Sequence, residues 1–273
     1  MPSHSIRFIK VLEDEGVPVQ VYLHQGGHGG EPPFSMMNRW FTRYLFSVEN
    51  GVEKDPKAWI VRENDNRLKP TPYTAYPNPA ASPVKFFPAS GAPGYGKLLL
   101  TKTRKQADES LTDDFSFSGS TLAKAETSGN RLLYLTPVLK EPIHISGNIT
   151  VTIRAASSKE AVNLSVWLVA LPWNGEKTAK ITDNIITRGW ADLQNHKSLT
   201  DSDPLIPGKF YEMTFDLEPD DQVIPAGKQI ALMIFSSDSE FTLQPAPGTK
   251  LTVDVDKTSL TLPVVGGLKG IQF

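Results

Sequence analysis

The spacing of apolar residues changes near residue 50, and this change divides the chain into two parts. In the first part, Ile6, Ile9 and Leu12 recur at helical spacing, and Gly16 is a natural helix stop. The pattern predicts an amphipathic helix over residues 3–15.

A short apolar run follows and leads into a loop rich in glycine. Residues 17–23 are nearly all apolar and include β-branched side chains, which is typical of a strand buried on both faces of a parallel sheet. The strand runs into four glycines that surround His28. A second helix is predicted to open at Pro32–Pro33 and to end before Asn50. Its apolar residues are expected to form one buried stripe: Met37, Trp40, Phe41, Tyr44 and Leu45.

Beyond residue 50 the helical periodicity disappears. Prolines accumulate between Pro70 and Pro93, which favours an extended connection over 51–83 rather than a packed element. From residue 84 onward, short runs of alternating apolar residues are separated by turns, as in an antiparallel β-sandwich or jelly roll. The clearest runs are Ile143/Ile145, Ile149/Val151/Ile153, Leu164/Val166/Leu168, Tyr211/Met213/Phe215/Leu217, Ile230/Leu232/Ile234 and Leu251/Val253/Val255.

The predicted fold class is therefore mainly β, with a C-terminal antiparallel β-sandwich preceded by a helix-strand-helix segment. We expect residues 1–50 to be the end of an α/β-hydrolase domain, 51–83 the connection and 84–273 the sandwich.

Composition narrows the function classes. The 273 residues carry a formal net charge of -2 and a pI near 6.2, so nucleic acid and anionic membranes are poor candidate partners. The chain has no cysteine and no apolar run of about 18 residues. Residues 1–5 do not begin a signal peptide, which favours the cytoplasm, although a chain cut from a longer one would lack that signal in any case.

The candidate catalytic residue is His28. A histidine on a glycine-flanked loop just past a strand end is how an α/β-hydrolase presents its catalytic base. His24 is the alternative, but it lies at the strand end itself, where side chains tend to be buried. The remaining histidines, His4, His144 and His196, are scattered and are expected to be ordinary polar residues.

Other motifs do not indicate a cofactor or a metal. Residues 91–97 satisfy the phosphate-loop pattern G-x-x-x-x-G-K, but Leu98 stands where Ser or Thr would bind magnesium, and a strand rather than a helix is expected next. Acidic pairs without the spaced ligands of a calcium loop are expected to be solvated: Asp201/Asp203, Asp220/Asp221 and Asp254/Asp256. We therefore expect no cofactor and no metal site.

Taken in chain order, the predicted helix, strand, histidine loop, second helix, connection and sandwich resemble the C-terminal portion of the X-Pro dipeptidyl-peptidase and cocaine-esterase-like serine hydrolases. The segments that carry the resemblance are Gln25-Gly-Gly-His-Gly29, Asn38-Arg-Trp-Phe-Thr-Arg-Tyr-Leu45, Asn50-Gly-Val52, Pro56-Lys-Ala-Trp59, Arg131-Leu-Leu-Tyr-Leu-Thr-Pro137, Ile145-Ser-Gly-Asn-Ile-Thr-Val151, Pro225-Ala-Gly-Lys-Gln-Ile-Ala-Leu232 and Ser236-Ser-Asp238. Two positions depart from the family's pattern, since Gly26 replaces a frequent tryptophan and Lys228 replaces a histidine.

The resemblance implies the chemistry of a serine hydrolase. A serine attacks the acyl carbonyl, His28 takes and returns its proton, and an acid orients the imidazole. The chain has no G-x-S-x-G elbow, and the family's serine and acid would precede Met1. The expected substrate is a peptide with proline in second position, or a related acyl compound for an esterase or acylase. The chain alone is expected to be inactive.

A second hypothesis, from another class, is a non-catalytic sandwich that binds a carbohydrate or a protein. Its candidate contacts are Trp167, Trp173 and Trp190. The enzyme hypothesis predicts instead a surface that docks the missing upstream catalytic domain or a second copy of the chain. That surface would contain Ile6, Ile9, Trp40 and Phe41.

Overall fold

The computed structural model describes residues 2–25, 29–63, 65–175, 183–245 and 248–273. The N-terminal part contains the predicted helix, strand and helix. These are α1 (Pro2–Asp14), β1 (Val21–His24) and α2 (Phe34–Phe46).

Two further strands extend β1 into a small sheet. They are β2 (Ala58–Val61) and β3 (Thr71–Tyr73), and the strand order is β1-β2-β3. The pairing of β1 with β2 is parallel and places Val21 opposite Ala58. Here the structure differs from the extended connection expected over 51–83. The apolar run at β2 is only four residues long, and it becomes a packed strand because β1 lies beside it.

Beyond the small sheet, the described residues form mainly strands, with the short α-helix α3 and a few 3-10 turns. The elements are β4 (Ala81–Ala89), β5 (Gly96–Leu99), β6 (Glu109–Thr112), α3 (Gly119–Lys124), β7 (Arg131–Leu135), β8 (Ile143–Gly147), β9 (Thr150–Ser157), β10 (Asn163–Leu171), β11 (Ile185–Asp192), β12 (Phe210–Asp216), β13 (Asp220–Ile224), β14 (Gln229–Phe235), β15 (Lys250–Val253) and β16 (Ser259–Val265). The predicted mainly β fold is confirmed.

These strands form two sheets that share β4. The first has the order β11-β10-β14-β7-β5-β4, and the second continues from β4 through β16, β9 and β15 to β6. In the second sheet β12 also pairs with β9, and β13 pairs with β8, which pairs with β16. All these pairings are antiparallel except that of β5 with β7. The inner faces of both sheets contribute to one buried core, so the architecture is a sandwich.

The middle of the first sheet, at β10 and β14, is buried on both faces. On β10, Val166 and Leu168 point into the core between the sheets, whereas Trp167 belongs to a second core that includes Leu122 of α3. Gly119 lets α3 lie against this indole, because a Cβ there would be 2.3 Å from the ring. This packing accounts for the uninterrupted apolar sequence of β10.

The stripe on α2 is not buried, contrary to the sequence prediction. None of the residues described in this helix is buried, and Phe41 and Leu45 are 52% and 69% exposed. Their spacing is amphipathic, but no element in the described ranges covers this face. Among the helices that the structure describes, none is long and apolar enough to cross a membrane.

Candidate functional site

The predicted base, His28, lies outside the described residues, but the chain on both sides of it is described. Gln25 follows the end of β1, and its side chain donates to Asp220 Oδ1 over 3.1 Å. On the other side, Arg67 Nη2 donates to the carbonyl oxygen of Gly29 over 3.2 Å. Gly30 has φ 124°, and a Cβ there would be 1.3 Å from Arg67 Nη2. Each end of the loop is therefore held by a residue distant in sequence.

His24, the alternative base, lies at the strand end as expected. Its Nδ1 is buried and has no hydrogen-bond partner among the residues that the structure describes. Burial lowers the pKa of His24 below 6.5, and the charge of Arg67 lowers it further. The imidazole is therefore neutral at neutral pH and packs beside Tyr22, with ring centroids 5.8 Å apart.

A cavity of about 410 Å³ opens where the β1 end meets the sandwich. From the small sheet it is lined by Leu23, His24 and Gln25, and from the sandwich by residues that include Arg188 and Trp190. The segment that leads into the His28 loop thus borders a cleft between the two parts of the chain.

The acidic pair at the start of β13 also borders this cleft. Asp220 and Asp221 were expected to be solvated, but the structure buries both of them. The expectation was wrong because residues remote in sequence cover and bind the pair. Short-range patterns cannot show such contacts.

Four side chains bind the carboxylate of Asp221. They are Arg62 Nε at 2.6 Å, His144 Nε2 at 3.0 Å and the Tyr73 hydroxyl at 3.2 Å from Oδ1, with Ser146 Oγ at 2.6 Å from Oδ2. Burial alone would raise the pKa of Asp221. Hydrogen bonds from His144 and Ser146 and the charge of Arg62 outweigh burial and lower it below 3.8. Asp221 therefore stays ionised, and His144 is part of a buried network rather than an ordinary polar residue.

The carboxyl group of Asp220 has fewer hydrogen-bond partners than that of Asp221. Its Oδ1 accepts from the Asp221 backbone N–H at 2.8 Å and from Gln25, while its buried Oδ2 meets no hydrogen-bond partner within the described ranges. Burial raises the pKa of Asp220 to about 7, to which the charge of Asp221 contributes. This carboxyl group therefore keeps its proton to a much higher pH than an ordinary aspartic acid does.

The sandwich tryptophans mostly serve packing. Trp167 is 2% exposed, and both it and Trp190 donate their indole N–H to Asp238 Oδ2, over 2.9 and 3.0 Å. Trp190 stacks on Phe241 with ring centroids 4.9 Å apart. Trp173 is half-buried beside α3. Trp167 therefore offers no open ring on which a sugar could stack.

The phosphate-loop pattern at 91–97 is a turn whose last two residues begin β5, so a strand rather than a helix follows, as predicted. Arg131 Nη1 donates to the carbonyl oxygens of Ala92 and Gly94, which holds this turn against β7. Across the described ranges, no group of three or more His, Asp or Glu side chains could hold a metal ion.

Two solved structures share this fold over most of the chain. An aminopeptidase from the marine sediment archaeon Thaumarchaeota archaeon matches with a TM-score of 0.72 and 16% identity, covering 94% of this chain and 51% of that one. A CocE/NonD family hydrolase from Staphylococcus aureus matches with a TM-score of 0.67 and 11% identity, covering 90% and 49%. The fold is thus that of a β-rich C-terminal domain found in hydrolases.

Sequence comparison is more specific. A Rhodopirellula baltica protein, named as a candidate Xaa-Pro dipeptidyl-peptidase, is 57% identical over 267 residues. The match covers 98% of this chain and 43% of that protein, so the chain spans less than half the length of this curated relative. Residues 50–271 match the model of the X-Pro dipeptidyl-peptidase C-terminal non-catalytic domain, and the chain belongs to this family. The resemblance noted in the sequence is confirmed.

Proposed function

We propose that this chain is the C-terminal part of a serine peptidase that releases X-Pro dipeptides from peptide N-termini, and that His28 is its general base. The observation that carries the proposal is the end of β1, which borders a cleft between the small sheet and the sandwich and precedes the glycine-flanked His28 in the sequence. Membership of the X-Pro dipeptidyl-peptidase family supports the substrate class.

The chemistry follows from the role of a triad histidine. His28 accepts the proton of a serine hydroxyl as that oxygen attacks the carbonyl carbon of the proline residue, and then donates it to the leaving amine. Water repeats the sequence to release the dipeptide. The serine and the acid belong to the upstream part of the enzyme. The chain's own contribution is the histidine together with Gln25 and Gly29, which are the anchored ends of its loop.

The test uses a fusion protein. The part of the Rhodopirellula baltica relative that precedes the matched region is joined to this chain, and hydrolysis of an X-Pro anilide is measured. We expect His28→Ala to lower kcat by at least about 10⁴-fold, because a triad without its histidine loses most of its rate enhancement.

Two controls accompany this substitution. His4→Ala changes an exposed histidine on α1, and we expect it to leave kcat unchanged. His24→Ala tests the alternative base, because only the variant that lacks the true base should lose activity. Full activity of the His28→Ala fusion, or hydrolysis of the X-Pro anilide by this chain alone, would contradict the proposal.

The same fusion distinguishes a peptidase from an esterase or acylase. X-Pro anilides are compared with esters and amides that lack proline in second position. The proposal expects kcat/KM to be highest for the X-Pro compounds. A preference for simple acyl esters would assign the chain to an esterase of the same family.

The sandwich within residues 50–271 is proposed to act as a scaffold, in keeping with the non-catalytic domain whose model it matches. The burial of Trp167 and its bond to Asp238 do not favour carbohydrate binding through that ring. Binding of the upstream catalytic part is the partner interaction that this proposal requires.

A further inference from the structure

The segment formed by the turn after β12 and the first residue of β13 contacts the helix-strand part of the chain at two separate points. The first is the start of α1, where Glu218 accepts hydrogen bonds from the backbone N–H and the hydroxyl of Ser3, over 3.1 and 2.9 Å. These bonds satisfy a backbone donor of the first helical turn, which has no partner inside a helix. A sandwich residue thus fixes the position of α1.

The second contact is at the end of β1. Asp220 accepts from Gln25 Nε2 over 3.1 Å, and Gln25 lies three residues before His28 in the sequence. The two partners differ in burial, since Asp220 is buried in the sandwich and Gln25 is exposed. An exposed side chain next to a loop is therefore tied to a fixed acceptor.

The turn is itself rigidly attached to the sandwich. The Glu218 backbone N–H donates to the Arg188 carbonyl over 2.8 Å, and the Thr187 hydroxyl donates to the Glu218 carbonyl over 2.6 Å. The Tyr76 hydroxyl donates to the Asp220 carbonyl over 3.2 Å. Two bonds with β11 and one from Tyr76 therefore hold the backbone that carries the Asp220 carboxyl group.

We infer that residues 218–221, here called the brace, position the His28 loop for catalysis, with Asp220 acting as a positioning residue through Gln25. The inference rests on the proposed function. The bond from Gln25 to Oδ1 of the buried Asp220 ties the chain just before the loop to a fixed acceptor. Such a tie matters for the rate, since small displacements of a catalytic group cost up to about 10²-fold.

The first test removes the donor, because Gln25 is exposed and its loss leaves the core intact. In the fusion enzyme we expect Gln25→Ala to lower kcat about tenfold while KM stays within about twofold, as for an interaction that orients the reacting groups. Asp216→Ala is the matched control. Asp216 is an exposed acid at the end of β12 that bonds Thr150, and its loss should change neither constant.

A second pair of variants separates positioning from general stability. Asp220→Ala removes the acceptor and should lower kcat like Gln25→Ala, and the double variant should be no slower than either single variant. Asp220→Asn keeps an oxygen that can accept from Gln25 and should restore kcat to within about threefold of the wild type.

A further experiment does not depend on catalytic activity and uses the unfused 273-residue chain. Hydrogen exchange of the peptide spanning residues 22–30 should be about tenfold faster in Gln25→Ala than in the wild type, and unchanged in Asp216→Ala. Unchanged exchange would overturn the brace itself. Faster exchange with an unchanged kcat in the fusion would overturn its role in positioning. If the His28→Ala fusion keeps full activity, the proposed function fails, and the exchange experiment still decides whether the brace holds the loop.

Discussion

Two neighbouring carboxyl groups at the start of β13 differ in charge at neutral pH. Asp221 has four side-chain partners, including Arg62, and stays ionised. Asp220 is buried with fewer partners, and its pKa is raised to about 7. The charged and polar groups around it are Asp221, Glu63 and Tyr76, with Gln25 as donor. The difference comes from the partners that the fold supplies, since the residue type is the same.

This difference predicts how stability depends on pH. Between about pH 4 and pH 7 an unfolded Asp220 ionises while the folded form keeps its proton, so the folded state loses stability as the pH rises. A pKa raised from 3.8 to about 7 corresponds to a penalty of up to about 4 kcal/mol for the ionised folded form. Asp220→Asn removes this penalty.

Urea denaturation of the wild type and of Asp220→Asn at pH 4.5 and pH 8 tests this prediction. The free energy of unfolding of the variant, relative to the wild type, should be higher at pH 8 than at pH 4.5. Asp221 and His24 titrate in both proteins, so most of their effect cancels in the comparison. The same difference at both pH values would show that Asp220 does not titrate between them.

At the level of elements, α2 presents an apolar face that nothing in the described ranges covers. Phe34, Phe41 and Leu45 are exposed at positions that share one side of the helix. Exposed apolar surfaces of this kind mark sites of association. We expect the chain to self-associate through this face when no upstream domain is present.

Sedimentation velocity over a range of concentrations tests this expectation with the double variant Phe41→Glu/Leu45→Glu. Association should weaken markedly while the melting temperature stays within about 2 °C, because neither side chain is buried. Val138→Glu is the control, since Val138 is 52% exposed, as Phe41 is, but lies in the sandwich part. Equal weakening by the control would assign association to a different surface.

The helices and strands that could be predicted from the sequence are those whose apolar pattern depends on near neighbours alone. Alternation at Ile230/Leu232/Ile234 and the helical spacing of Ile6 and Ile9 depend only on near neighbours, and β14 and α1 form where expected. The four apolar residues of β2 gave no such signal, since their strand depends on pairing with β1. The buried Asp220–Asp221 pair was missed for the same reason, because its partners lie on distant segments. The position of His28 stays a prediction.

At the level of the whole molecule, β1 is joined to the chain beyond residue 50 by a small core inside the three-stranded sheet. Val21 of β1 packs with Ala58 and Ile60 of β2 and with Tyr73 of β3. The family model begins at residue 50, between the two paired strands. Removing residues 1–49 would take β1 from its parallel partner and expose Ile60.

We therefore expect residues 50–273 to melt at least about 5 °C below the full chain, as the loss of a few kcal/mol would produce in a domain of this size. A chain of residues 15–273, which lacks α1 but keeps β1, is the control and should lose less. Differential scanning calorimetry of the three proteins provides the measurement. Equal melting temperatures for 50–273 and the full chain would show that β1 adds nothing to the stability of β2.

The strand β4, shared by both sheets, has a consequence for synthesis of the chain. Its main partner in the second sheet is β16, so Phe86 lies opposite Leu260, more than 170 positions later in the chain. A ribosome adds residues in order, and that edge of β4 stays unpaired until the codons of β16 are translated. The sandwich therefore closes only after β16 has left the ribosome, and a truncation that removes β16 would take an internal strand out of the second sheet.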